Sequence, residues 1–281
     1  MKLSELWERY LTDKQLEGYS KHTIKAYGLQ HRLMLRHLGD MEIADVSIDR
    51  LKEYLTKQDH LKASSLAHRV RYIKSFFRWV YDEGYTQRNL TTKLKEPKAG
   101  KRVPKALSDE DVEFLRDSCK MPLEHALLEF FFTTGCRIAE VAALNKSDLD
   151  WSNRSVIVRG KGDKEGEVYF SVRCGMWLKR YLESRQDDEP ALIVTARRPF
   201  RRMSIAQIRY IFKRLAKRTG IDTVVYPHKL RHTYAMRLLN NGAPMDAIQT
   251  LLRHEKAETT KLYAALAGQA RRDMYTKYFH S

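Results

Sequence analysis

Cysteine is scarce in these 281 residues: Cys119, Cys136 and Cys174 stand alone, scattered and odd in number. Three such positions build neither a disulfide framework nor a zinc site. No run reaches the ~18 uninterrupted apolar residues of a membrane span. The opening "MKLSELWERYLTDKQLEG" breaks its apolar residues with Glu5, Glu8 and Asp13, which excludes the apolar run of a signal peptide. A cytoplasmic protein is expected. Acidic residues are also in deficit, 35 against 52 lysines and arginines, for a net charge of +17. Such a surplus makes a polyanion, most simply nucleic acid, the expected partner. An anionic membrane surface competes for that role, but the charge is spread along the chain and not gathered at one end.

The length and the 43% of hydrophobic residues suit two domains with separate cores. The first hundred residues read as four helices: "LSELWERYLTDKQL", a second after the cap Ser20, "SIDRLKEYLTKQ" and "SSLAHRVRYIKSFFRWVYDEG". In the fourth, Leu66, Val70, Ile73, Phe77 and Val80 form one stripe, and Arg69, Arg71, Lys74 and Arg78 fall outside it. That basic face is a DNA contact or a solvated surface. "KLKEPKAGKRVPKALSDEDV" lacks periodicity and reads as a linker, and "SDED" as the capped start of the next helix. The expected division is a helical DNA-binding domain over 1–97, a linker over 98–107 and a second domain over 108–281. Each side of residue 107 is basic, 22 basic against 13 acidic residues before it and 30 against 22 after it, as suits two domains gripping one duplex.

In the second half, "LEHALLEFFFTTGCRIAEVAAL" is a helix broken at Thr134 and Gly135, with a new helix near Arg137. "SVIVRGKGDKEGEVYFSV" is a β-hairpin with Lys161 in its turn. Residues 197–218 hold nine lysines and arginines and no acid. Within them Ile205, Ile208, Phe212 and Leu215 are helically spaced, so Arg201, Arg202, Arg209 and Lys213 are candidate DNA contacts beside the solvated-face alternative. In "PHKLRHTYAMRLL", His228 and Arg231 lie one turn apart at a helix start, where backbone N–H groups already favour an anion. That pair is a phosphate site or an ordinary surface helix end. A metal held by His228 and His232 lacks the glutamate of the His-Glu-x-x-His motif, so no metal site is expected.

Four motifs in one order narrow the choice: "TGCRIAE", "RGKGDKEG", "PHKLRHTYA" and "LLRHEKAETTKLYA". Together they resemble the tyrosine recombinase family of phage integrases and Xer-type recombinases. The family pattern Arg, Lys, His-x-x-Arg, His, Tyr falls on Arg137, Lys161, His228, Arg231, His254 and Tyr263. The resemblance implies an all-α four-helix core-binding domain followed by a mainly α catalytic domain with a small antiparallel β-sheet. It also implies site-specific DNA cleavage and rejoining through a 3′-phosphotyrosine, for integration, excision or dimer resolution. Double-stranded DNA is the implied partner, bound by four synapsed protomers that are monomers when free, and the tail "AGQARRDMYTKYFH" would dock on a neighbouring protomer. No further domain is expected ahead of the helical one, which favours a short recombination site. Ala139 departs from the frequent serine, and Arg253 stands where glycine is usual, where it could add a DNA contact or alter how the last helices pack.

The chemistry suits the residue types. Attack on a phosphodiester concentrates charge on the nonbridging oxygens, which Arg137 and Arg231 can clamp with planar, permanently charged donors. A phenol with a pKa of about 10 needs a base, for which His228 is the candidate. Lys161, or Lys164 in the same turn, can protonate the departing 5′ oxygen. His254 would donate to the phosphate, and His232 reads as structural. Among fifteen tyrosines only Tyr263 has the family spacing; Tyr226, Tyr234, Tyr275 and Tyr278 do not. No cofactor and no ATP are implied, because the phosphotyrosine conserves the bond energy. A type IB topoisomerase and a non-enzymatic DNA-binding regulator are the alternatives.

Overall fold

The computed structural model describes residues 1–97, 105–160 and 165–253. The chain divides into two compact units, Met1–Lys101 and Arg102–Ser281. Residues 98–104 of the expected linker lie outside the described residues.

In the first unit the four periodic segments are helices α1 (Leu3–Leu16), α2 (Lys21–Leu38), α3 (Ile48–Thr56) and α4 (Ala63–Asp82). Ser20 and Ser47 open α2 and α3 by accepting the N–H of Thr23 at 3.2 Å and of Arg50 at 3.3 Å, which satisfies donors that a helix start leaves unpaired. Val70, Ile73, Phe77 and Val80 of α4 are buried with Leu3, Leu6, Tyr10 and Leu51. Tyr10 meets Phe76 and Trp79 edge-on, each with ring centroids 5.4 Å apart, a favoured aromatic geometry. The polar ends of these rings are paired too: Tyr10 with Ser75 at 2.8 Å, and the Trp79 indole N–H with Asp13 at 2.8 Å.

The buried side of α4 is wider than its five-residue stripe, since Ala67, Tyr72, Phe76 and Trp79 are buried as well. Arg69 therefore falls inside the domain and not on the expected basic face. Its guanidinium donates to Gln30 at 3.1 Å and to Gln58, and lies 5.4 Å from the Tyr54 ring centroid. It is a packing residue that ties α2 and the end of α3 to α4. Arg71 is exposed and paired with Glu96 at 2.9 Å, and Lys74 is half-buried.

The second unit contains α5 (Asp109–Asp117), α6 (Pro122–Thr134), α7 (Ile138–Ala143), strands β1 (Leu149–Asp150), β2 (Ser155–Arg159) and β3 (Glu165–Tyr169), then α8 (Val172–Glu183), α9 (Ile205–Thr219), α10 (Pro227–Asn240) and α11 (Met245–Leu252). Ser108 and Asp111 cap α5 reciprocally, at 3.0 and 3.1 Å. The core is built around α6, which is buried almost all round and packs against α8 and α10; a helix apolar on every side has to be enclosed. Its two buried carboxylates are paired. Glu124 takes Arg214 at 2.5 Å and Arg218 at 2.8 Å, and Glu129 takes Arg116 at 2.6 Å.

The three strands form one antiparallel sheet in the order β1-β2-β3, with Val156 opposite Val168 and Val158 opposite Gly166. The two longer strands are the expected hairpin; β1 is an added short edge. Val156, Val158 and Val168 turn inward, which fixes the register because a slip of one residue would expose all three. On α9, Ile208, Ile211, Phe212 and Leu215 are buried and Arg209 and Lys213 are exposed. Arg201 is exposed. Arg202 is exposed too but tied down: it donates to the carbonyls of Leu144 at 2.7 Å and Ala142 at 3.0 Å and to the Asn145 side chain at 2.5 Å. Those bonds anchor the segment before α9 to the end of α7 and engage both terminal nitrogens of Arg202.

Candidate active site

The site begins where α6 stops. Gly135 adopts φ 60°, the left-handed conformation that ends helices and that glycine tolerates. A Cβ there would lie 2.5 Å from the Tyr234 ring, so both the backbone and the space require glycine. The reversal at Gly135 places Arg137 as the residue preceding α7. Glu140, one turn into α7, accepts the Arg137 backbone N–H at 2.7 Å on Oε2 and its guanidinium Nη1 at 2.9 Å on Oε1. The Glu140 side chain is only 3% exposed, whereas that of Arg137 is 40% exposed. Arg137 is thus anchored on one side and open on the other.

Helix α10 supplies the second part. Pro227 occupies its first turn, where a missing N–H is harmless, and His228 and Arg231 follow one turn apart. Arg231 is buried. Its Nη1 donates to the Gly135 carbonyl at 2.6 Å and its Nη2 to the Leu252 carbonyl. Burial, and then the charge of Arg137, lowers its pKa to about 10, which leaves it protonated near neutrality.

Helix α11 supplies the third. Arg137 Nη2 donates to the Arg253 carbonyl at 3.1 Å. The two guanidiniums therefore meet successive carbonyls at the C-terminal end of α11, where the helix dipole is negative. Arg253 itself pairs with Glu140 Oε2 at 2.7 Å. Arg137 and Arg253 thus share one buried carboxylate, with Arg231 within electrostatic reach, and the excess positive charge suits an anionic phosphate.

His228 is exposed, yet partial desolvation, then Arg231 and Arg137, holds its pKa below the ordinary 6.5. A neutral imidazole at neutral pH can accept a proton. The His232 ring lies 4.8 Å from that of His228, and burial followed by the charge of His228 and Arg231 pulls its pKa down to about 4.

Of the six residues given by the motif pattern, Arg137, His228 and Arg231 are described and lie together, each within electrostatic reach of the others. Lys161, its fallback Lys164, His254 and Tyr263 lie outside the described residues, as do Tyr275 and Tyr278. The hairpin that frames the lysine turn is described up to Gly160 on one arm and from Glu165 on the other. Glu140 is a site residue that motif reading passes over. Its signal is the spacing in "RIAE", where an acid three residues after a helix-start residue reaches back to that residue's N–H. Among the described residues no group of three His, Cys, Asp or Glu is arranged to hold a metal ion. No helix of the described residues is long and apolar enough to cross a membrane.

Residues 105–270 match the phage integrase family and residues 5–84 match the phage integrase N-terminal SAM-like domain. The chain belongs to the phage integrase family. Similar proteins include the tyrosine recombinase XerC of Oceanobacillus iheyensis, 31% identical over 92% of this chain and 90% of that protein. XerC of Staphylococcus aureus is 29% identical over 97% and 96% of the two chains. Among solved structures, an XerA recombinase is 26% identical with a TM-score of 0.57, each chain covered to 99%. The Tn1549 transposon integrase in complex with transposon right-end DNA has the same fold, with a TM-score of 0.79 at 20% identity over the whole of both chains. With these relatives and the two matched domains, the protein is a tyrosine-type site-specific DNA recombinase with the two-domain recombinase fold. The topoisomerase and regulator alternatives are not favoured.

Proposed function

We propose that Tyr263 attacks one strand at a recombination site, forming a 3′-phosphotyrosine and releasing a 5′-hydroxyl, with Arg137 and Arg231 clamping the nonbridging oxygens. The observation that carries this reading is the meeting of Arg137 with Arg231 and His228, from two motifs far apart in the chain, at the C-terminal end of α11. Guanidiniums aimed at developing charge in a partly desolvated site stabilise the transition state more than the ground state. His228 takes the phenolic proton. Lys161, or Lys164, gives one to the 5′ oxygen, so proton and charge balance without a metal or ATP. His254 donates to the phosphate. Attack by another strand's 5′-hydroxyl then reverses the ester onto a new partner.

The partner is double-stranded DNA carrying specific sites. Arg71, Lys74, Arg201, Arg209 and Lys213 are the proposed backbone contacts; Arg69 and Arg202 are left out because their donors are engaged internally. The chain is monomeric when free and tetrameric on synapsed sites. The λ integrase tetramer bound to a Holliday junction is such an assembly of a protein with this fold. The working compartment is the cytoplasm, at the nucleoid. The domain functions follow the expected division, DNA binding by 1–97 and catalysis by 108–281. A nicked suicide substrate, which loses the 5′-hydroxyl needed for religation, tests the reading: a covalent protein–DNA adduct is expected, and its absence with the protein's own recombination site contradicts it. Joining of two such sites is the expected second readout, and relaxation of supercoils without joining contradicts recombination.

A further inference from the structure

Arg253 ends α11 with φ 51°, in the left-handed region that favours glycine and disfavours a long side chain. A non-glycine residue held there is usually held by its surroundings. The surroundings of Arg253 are specific. Its Nη2 pairs with Glu140 Oε2 at 2.7 Å, its Nη1 points at the Val158 carbonyl at 3.5 Å, and the side chain is only 16% exposed. Its stem passes over β3 at Gly166, where a Cβ would lie 2.4 Å from Arg253 Cδ. Glycine inside a strand weakens it and often marks a close approach. Here the glycine in the strand and the arginine in a glycine-type conformation are two halves of one arrangement.

That arrangement bears on Arg137. Oε2 of Glu140 accepts both Arg253 Nη2 and the Arg137 backbone N–H, and the Arg137 guanidinium is left with Oε1. The Arg253 carbonyl takes the other terminal nitrogen of Arg137 at 3.1 Å. Without the Arg253 side chain, the buried carboxylate would have one cationic partner, and a two-point fork with Arg137 would be its best remaining pairing. Such a fork turns donors of Arg137 toward Glu140 and away from a phosphate.

We propose that Arg253 is a positioning residue for DNA cleavage: it occupies one oxygen of Glu140, with Gly166 making room for its stem, and so keeps the Arg137 guanidinium open to the scissile phosphate. It acts through Arg137 and makes no DNA contact of its own, because its donors are turned into the protein. The inference rests on the reading of Arg137 as a phosphate clamp.

The test uses the full-length protein and two suicide substrates, one with the normal scissile phosphodiester and one with a methylphosphonate that lacks the negative charge an arginine neutralises. The ratio of the two adduct-formation rates does not depend on the folded fraction of a preparation. Arg137→Ala should slow the phosphodiester far more than the methylphosphonate. Arg253→Gly should show the same selective pattern to a smaller degree, about tenfold to a hundredfold on the phosphodiester, as expected for a small displacement of a catalytic group. Arg253→Gly also relieves the backbone, so its loss of rate cannot be assigned to a strained fold. Arg253→Lys keeps the Glu140 pairing and should recover most of the ratio. A wild-type ratio in Arg253→Gly beside a shifted ratio in Arg137→Ala overturns the inference and leaves the clamp standing. An unshifted ratio in Arg137→Ala overturns the clamp and the inference with it.

Discussion

Arg231 and Gly135, 96 residues apart, meet in a buried hydrogen bond of 2.6 Å. The bond joins the start of α10 to the residue that ends α6, and the same guanidinium reaches the Leu252 carbonyl at the end of α11. One side chain thus ties three helix ends together and belongs to the candidate phosphate clamp.

Gly135→Ala is expected to damage both roles. The substitution places a side chain at φ 60° and against the Tyr234 ring at 2.5 Å, so the loop must shift and move the carbonyl that holds Arg231. A stability loss of about 1–3 kcal/mol is expected from such a strained position, with a fall in adduct formation beyond what the folded fraction explains. Chemical denaturation and a suicide-substrate assay on the same preparation measure both. Wild-type values for the two would contradict the arrangement.

The two arginines should part company when changed to lysine. An ammonium keeps the charge but not the planar two-point geometry, so Arg137→Lys and Arg231→Lys should each slow cleavage by roughly a hundredfold or more. Arg137 is 40% exposed on its side chain and Arg231 is buried with two carbonyls depending on it. Only Arg231→Lys should lower the melting temperature, because it leaves buried acceptors unpaired. Near-normal cleavage by both variants would remove the clamp.

Cleavage should persist in acid further than an ordinary histidine allows. The base form of His228 is the neutral ring, and desolvation, Arg231 and Arg137 hold its pKa below 6.5. The ring therefore stays neutral as pH falls through 6.5, and activity declines only as pH passes below its own lowered value. Single-turnover adduct rates between pH 5 and 8 should show an acid limb below 6.5 that disappears in His228→Gln. An acid limb at or above 6.5, or one unchanged in the variant, would exclude His228 as the base.

Excess EDTA should leave single-site adduct formation unchanged. Arg137 and Arg253 already pair with the Glu140 carboxylate, and Arg231 adds a third positive charge within electrostatic reach. Mg²⁺ is held chiefly by carboxylates and is repelled by such a cluster. Loss of adduct with EDTA and its return with added Mg²⁺ would require a metal-dependent mechanism.

Much of the fold is legible where the signal is local. The caps Ser20 and Ser108 mark helix starts within three residues of the N–H groups they accept, and the β-rich run "SVIVR" marks β2. The break between α6 and α7 is announced by Gly135. What is not legible depends on partners far along the chain. Arg202, Arg214 and Arg218 all fall in the acid-free basic run of residues 197–218, but Arg202 closes on carbonyls 58 and 60 residues away, and Arg214 and Arg218 on Glu124 at 90 and 94 residues. A charge pattern records that a side chain is basic and not whether a buried acid or carbonyl awaits it. Arg253 is the sharpest case: as a departure from the family pattern it invites a DNA contact, and its distances to Glu140 and Gly166 turn it inward. Glu140 escapes motif reading because its work is done on Arg137 and not on a substrate.

The most direct test of the account is the identity of the residue joined to DNA. Wild-type protein trapped on a nicked suicide substrate should yield one covalent adduct, and peptide mapping should place the DNA on Tyr263. Tyr263→Phe should bind the same DNA with nearly unchanged affinity and form no adduct, because the lost hydroxyl is the nucleophile and adds little to backbone contacts. An adduct that survives in Tyr263→Phe, or that maps to Tyr275 or Tyr278, would contradict it.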